Sequence, residues 1–243
     1  MKKAIALLFL LPLFFLSCGQ KTNSNSGYYG SVKKVISYSC PVKQGKIPKD
    51  TADYSTRTTT TYDSLGNKLE NNDFFKLSDY TTEISTIYSG TGKNRTFKTK
   101  IISGQDNSIK ESAYKYVWED DYHFSMMTTD KNDSTDFVAT TTLDRKFRVV
   151  EIIYKNKGKF AMKDEYEYIG KHEKALKRTI DEGEKDRIIY TVTVVKEFDK
   201  CGNPTVAYCY DDAEKEHLTA VFFYEYEYYK DGKPKKQPSK SSN

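Results

Sequence analysis

Residues 222–228 read Phe-Phe-Tyr-Glu-Tyr-Glu-Tyr, with an aromatic ring at every even position and Glu225 and Glu227 between the last three. In a strand, neighbouring side chains point to opposite faces. The stretch therefore describes a strand whose aromatic face is covered and whose glutamate face is wet. The same alternation runs through Tyr122-His123-Phe124-Ser125-Met126, Tyr166-Glu167-Tyr168 and Ile189-Tyr190-Thr191-Val192-Thr193-Val194. The chain holds 20 Tyr and 13 Phe but only 6 Pro, a composition suited to pleated, half-buried surfaces. Turn signals recur roughly every 10–15 residues, which predicts about 13–14 strands between residues 31 and 229. Helix-forming composition is confined to 171–176 and 211–217, each short enough to be a loop turn.

Two turns share one form. Tyr62-Asp63-Ser64-Leu65-Gly66-Asn67 and Phe198-Asp199-Lys200-Cys201-Gly202-Asn203 both read aromatic-Asp-x-x-Gly-Asn. Asp accepts backbone N–H groups two residues on, and Gly takes a positive φ at no steric cost. Leu143-Asp144-Arg145-Lys146 is a degenerate copy lacking the glycine, and Tyr229-Lys230-Asp231-Gly232-Lys233 is a shortened one. Ser89-Gly90-Thr91-Gly92, Asn156-Lys157-Gly158 and Asp181-Glu182-Gly183 are further hairpin signals. The turns carried by Asp63, Gly66, Asn67, Asp199, Gly202 and Asn203 resemble the YD repeats of the RHS family. That resemblance implies an antiparallel meander of successive hairpins. Full RHS shells need far more repeats than this chain holds. The expected fold is accordingly all-β, an antiparallel meander in an open, curved or folded-over sheet.

The leading segment carries Lys2 and Lys3, then an apolar run from Ala4 to Leu16 ending at Ser17-Cys18. The run has the length of a signal-peptide core and is too short to span a bilayer as a mature helix. It resembles a bacterial lipoprotein signal of the Bacteroidetes type, with Phe15 where the stricter form has Leu. The resemblance implies lipidation of Cys18 and attachment to the outer membrane, facing the periplasm or the cell surface. A multiply acylated cysteine anchors stably where one chain is marginal. Gly19–Ser26 has no apolar residue and reads as a flexible tether. The organisation expected is a signal over 1–17, anchor and tether over 18–29, one β-meander domain over 30–230 and a basic tail over 231–243.

The full chain carries a net charge of +5, and removal of the signal leaves +3. Charges of both signs alternate, with no basic block of the kind that binds a phosphate backbone, so nucleic acid is not an expected partner. After Cys18 the cysteines are Cys40, Cys201 and Cys209, an odd number. Cys201 and Cys209 flank one turn and could form a cross-strand disulfide if register allows. No CxxC pair accompanies His123, His172 and His217, so neither a metal site nor a cofactor is expected.

Candidate sites divide between surface and core. Glu119, Asp120 and Asp121 beside Trp118 offer carboxylates near a stacking ring, but adjacent residues cannot supply the separation glycosidase chemistry needs, and they read as a hairpin turn. Asp130-Lys131-Asn132-Asp133 echoes a calcium loop without its remaining ligands, and reads as a turn. No catalytic residues are assigned. Trp118, Tyr122, Tyr224, Tyr226 and Tyr228 are the candidate binding surface, although a stripe such as 222–228 also suits the buried face of a sheet. The expected function is a non-catalytic binding or scaffolding module of the cell envelope for a protein or glycan partner. The alternatives are a half-barrel carrier of lipid or another apolar ligand, and an envelope enzyme acting on glycans or peptides.

Overall fold

The computed structural model describes residues 28–129, 136–170 and 172–230. The expectations for the signal, Cys18, most of the tether, Asp130–Asp133, the Asp231-Gly232 turn and the basic tail lie outside these residues. Fourteen strands follow one another: β1 (Val32–Pro41), β2 (Thr56–Tyr62), β3 (Lys68–Lys76), β4 (Thr81–Ser89), β5 (Thr96–Ser103), β6 (Ile109–Trp118), β7 (His123–Thr128), β8 (Phe137–Leu143), β9 (Val149–Asn156), β10 (Lys159–Ile169), β11 (Glu173–Asp181), β12 (Asp186–Phe198), β13 (Pro204–Tyr210) and β14 (Leu218–Tyr228). Every pairing is antiparallel, and all but that of β1 with β14 join sequence neighbours.

That exception corrects the expected open or folded-over sheet. Val35 sits opposite Thr60 of β2 and also opposite Tyr226 of β14, so the sheet closes into a 14-strand barrel. Across the seam Lys33 Nζ lies 2.6 Å from Glu227 Oε1. Closure removes the two unpaired edges that a meander would expose. The all-β, hairpin-after-hairpin part of the expectation agrees with the structure.

Residues opposite one another in an antiparallel pair share a face. Val35, Thr60, Asn71 and Thr86 are consecutive register partners and all are buried, as are Thr58, Asp73 and Ile84. These rows mark the lumen. One residue along, Thr59, Asn72, Ser85, Lys100 and Glu111 are partners on the outer wall. Further round, Ala139, Ile152, Tyr154 and Met162 form a buried lumenal cluster.

In an up-and-down barrel the connections alternate between two rims. The turns 62–68, 118–123, 143–149 and 198–204 therefore share one rim, here called the turn rim. Asp63 Oδ1 accepts from the Leu65 and Asn67 amides at 2.9 and 2.8 Å. Asp199 Oδ1 accepts from Cys201 and Asn203 at 2.8 and 2.9 Å. The copy without glycine closes in the same way, with Asp144 Oδ1 accepting from Lys146 and Arg148 at 2.8 and 2.9 Å. Gly66 and Gly202 take φ of 81° and 94°, and Phe147 takes 58° at the matching position. A bulky residue is strained in that left-handed region. Phe147 is held there by stacking on Tyr122 at 5.3 Å.

Candidate functional site

The structure divides the candidate aromatic surface. Tyr224, Tyr226 and Tyr228 belong to the lumenal face of β14, with Tyr224 buried and Tyr226 opposite Val35. The Tyr226 hydroxyl donates to the Pro204 carbonyl at 2.8 Å, and the Tyr228 hydroxyl donates to Asp199. These three line the core rather than an open platform. Trp118 and Tyr122 stand instead at the turn rim. The Trp118 ring lies 4.5 Å from Phe124, with the Lys93 ammonium 5.3 Å from the indole centroid. Phe198, the aromatic that opens the 198–203 turn, is exposed beside His172.

Sequence reasoning missed the segment entering the barrel. Tyr28 reaches in at the turn rim and is 5% exposed, with Tyr62 at 6.0 Å and Tyr226 at 5.5 Å, both edge-on. The Tyr29 amide donates to Asn203 Oδ1 at 2.7 Å, and Asn203 Nδ2 donates to the Tyr29 carbonyl at 2.9 Å. Asn203 thus closes its own turn and clasps the leading segment. A Tyr-Tyr-Gly run after a polar stretch was the available signal, but nothing local says where it docks.

The lumen also carries charge. Asp164 on β10 is 0% exposed and binds Arg178 of β11 through two contacts, Nε at 2.6 Å and Nη2 at 2.8 Å. Met162, Asp164, Tyr166 and Tyr168 share parity, so alternation alone placed a carboxylate on an apolar face. Asp73 accepts from the Thr58 hydroxyl at 2.6 Å and from Asn71 Nδ2 at 2.7 Å. A space lined by Tyr28, Val35, Thr58, Lys68, Asn71 and Tyr224 measures about 20 Å³, room for one water. A larger depression of about 160 Å³ includes the outward side chains Arg57, Phe74, Glu83 and Lys100.

Burial pushes two lysines, Lys68 and Lys174, down to about 8. The unfolded chain keeps these protons up to the ordinary value of 10.5, so it binds more protons than the native state between about pH 8 and 10.5. Stability rises with pH over that interval. Burial raises the Cys40 and Cys209 thiols and tyrosines including Tyr62, Tyr88 and Tyr116, the last to about 12. These groups ionise first in the unfolded chain, and that opposes the lysine effect at higher pH. Urea denaturation across this range is therefore expected to show stability climbing from about pH 8 and turning over near pH 10. A monotonic fall from pH 7 would contradict the burial of both lysines.

Cys40, Cys201 and Cys209 are free thiols. The Cys201–Cys209 disulfide that the sequence left possible does not form. Cys201 lies in the turn before β13 and Cys209 near the strand's other end, roughly 20 Å away at 3.3 Å per residue. A disulfide needs Cα atoms within about 7 Å. Asp120 closes the 118–123 turn, accepting from the Tyr122 and His123 amides at 2.6 and 2.7 Å and contacting His123 Nδ1 at 2.7 Å. Hydrogen bonding from His123 holds its carboxyl below the ordinary range. At the far rim, Asp211, Asp212 and His217 come together. Both Asp212 oxygens already accept backbone N–H groups, from Glu216 at 3.0 Å and His217 at 2.7 Å, so the cluster closes its own loop.

The outer wall is charged on strand after strand. Glu83, Lys98, Lys100, Glu111 and Lys115 project from β4 to β6, and Glu167, Lys177, Glu225 and Glu227 from β10, β11 and β14. Lys163 joins Glu151 and Glu165 at 3.0 Å each. One sector differs, where Cys40, Val221, Tyr208 and Val194 run as register partners across β1, β14, β13 and β12.

No family model matches the sequence, and no curated protein matches it significantly. Among solved structures, the chain is similar to a porin-like protein from Bacteroides uniformis, 11% identical, with a TM-score of 0.43 over 82% of this chain and 99% of that one.

Proposed function

We propose that this chain is a non-catalytic binding or scaffolding module of the cell envelope, tethered to the outer membrane through a lipidated Cys18. The barrel itself stands in water. The observation that carries this reading is the outer wall. An Arg or Lys facing lipid at mid-depth costs about 2–4 kcal/mol, and the described outer wall carries Lys98, Lys100, Lys115, Lys163 and Lys177. The lumen argues against an apolar carrier, since it holds Asp73, Asp164, Arg178 and Lys68 among its tyrosines. A closed wall without edge strands is a rigid frame on which a partner can dock.

The clasp adds orientation. Nine residues separate Cys18 from Tyr28, a span of at most about 35 Å. The turn rim, where Tyr28 enters, then faces the membrane and the far rim faces away.

Detergent phase partition tests the reading. Expressed in a bacterial host with radiolabelled palmitate, the wild-type chain should take up label and enter the detergent phase. Cys18→Ala should take up none and remain aqueous. A Cys18→Ala chain that still partitions into detergent would show a lipid-compatible wall and overturn the tethered reading.

A further inference from the structure

The space of about 20 Å³ lies on the lumenal side of β1, β2, β3 and β14. It is level with two register rows, Val35–Thr60–Asn71 and Ser37–Thr58, and Tyr224 faces Ser37 from β14. Lys68 also lines it, from three residues up β3 beyond Asn71, roughly 10 Å away at 3.3 Å per residue. Only the end of the lysine side chain can reach so far down the lumen.

Most polar groups around the space are spent on one another. The Thr60 hydroxyl donates to Asn71 Oδ1 at 2.7 Å and the Thr58 hydroxyl to Asp73 Oδ1 at 2.6 Å. Asn71 Nδ2 donates to Asp73 Oδ2 at 2.7 Å. Three donors are left over. Among the described residues, no hydrogen bond engages the Lys68 ammonium, the Ser37 hydroxyl or the Tyr224 hydroxyl. Burial raises the Tyr224 hydroxyl far above its ordinary value, so it keeps its proton and can donate. Buried donors nearly always find a partner, and three that meet at one space call for an acceptor there.

Charge points the same way. No carboxylate oxygen among the described residues lies within 4.0 Å of Lys68 Nζ. Asp73 and Arg95 are the charged groups that act on Lys68. The Arg95 guanidinium donates to the Lys68 carbonyl, and both cations approach the Tyr88 ring, at 4.9 and 5.6 Å from its centroid. Two cations and one carboxylate leave one positive charge unbalanced inside the barrel. A buried charge without a counter-charge is costly.

We propose that this lumenal space holds a single chloride ion, which accepts from the Lys68 ammonium and from the Ser37 and Tyr224 hydroxyls. A chloride takes about the room of one water molecule, and it supplies the negative charge that the surroundings lack. A water would bring two protons of its own to a wall where Asn71 Oδ1 and both Asp73 oxygens are already engaged, and would leave the charge unbalanced. The site goes beyond the binding-module reading and does not depend on the tether. A bound halide also favours the charged lysine, so the climb in stability above pH 8 should be smaller in chloride than in halide-free buffer.

Urea denaturation at pH 7 tests the site. The purified protein is unfolded at one ionic strength made up with sodium chloride, sodium bromide or sodium gluconate, and followed by dichroism near 218 nm. Above half-saturation, each tenfold rise in chloride at the expense of gluconate should lower the unfolding constant by about tenfold. Bromide should act as chloride does. Lys68→Met should lose this dependence, Ser37→Ala should need more chloride for the same shift, and Lys100→Met on the outer wall should behave as the wild type. If Lys68→Met does not fold, Ser37→Ala decides. Crystals grown in bromide should show one anomalous peak between Lys68 and Tyr224. A chloride dependence that is absent, or equal in wild type and Lys68→Met, overturns the site, and so does a water in place of the bromide peak.

Discussion

Replacing Arg178 with methionine is expected to lower the unfolding free energy by about 3–5 kcal/mol, as for other buried pairs broken from one side. The cost arises at Asp164 rather than at the lost arginine. Asp164 is 0% exposed, and the two contacts at 2.6 and 2.8 Å are its main compensation. A Tyr166 hydroxyl at 3.4 Å cannot replace them. With Arg178 gone, a carboxylate remains in the lumen, unpaired and away from water. Asp164→Leu combined with Arg178→Met should recover most of the loss, because an apolar pair needs no desolvation. Urea denaturation followed by Trp118 fluorescence reads both variants. A loss below about 1 kcal/mol in the single variant would mean that water reaches Asp164.

Tyr28→Ala should cost about 3 kcal/mol, comparable to other aromatic truncations in packed sites. Its buried ring packs edge-on against Tyr62 and Tyr226 at the mouth of the barrel, and truncation leaves a cavity there. The change should also release the leading segment. Limited chymotryptic proteolysis should then cut after Tyr29 in the variant and spare that bond in the wild type. Asn203→Ala attacks the same clasp from the other side, removing the bonds to the Tyr29 amide and carbonyl and to the Tyr228 hydroxyl. The two substitutions share one contact network, so their combined cost should be less than their sum. Additive costs would show that Tyr28 and Asn203 act independently.

The strands were legible because their signal is local. Alternation in 159–169 and 218–228 requires only neighbouring residues, and the strands lie close to where it placed them. The turns were legible for the same reason, since Asp63 and Asp199 bond amides two and four residues on. Even the glycine-free copy at Asp144 closes as its sequence implied. The candidate surface was less legible. The stripe Tyr224, Tyr226 and Tyr228 suits a platform and a core equally well, and only the curvature of the sheet chooses between them. Tyr28, Tyr62 and Asn203 lie far apart in the chain, and no spacing announces that they meet at one rim.

Sequence by itself determined an all-β hairpin series with Asp-closed turns, because side-chain period and turn chemistry are properties of a few adjacent residues. Tertiary structure decided that the series closes, which face becomes the lumen and which turns share a rim. Those outcomes depend on β1 meeting β14, where Lys33 and Glu227 pair across 194 residues. A meander with the same alternation can remain open or close, and the free energy of joining its two edges resides in contacts that no local pattern encodes.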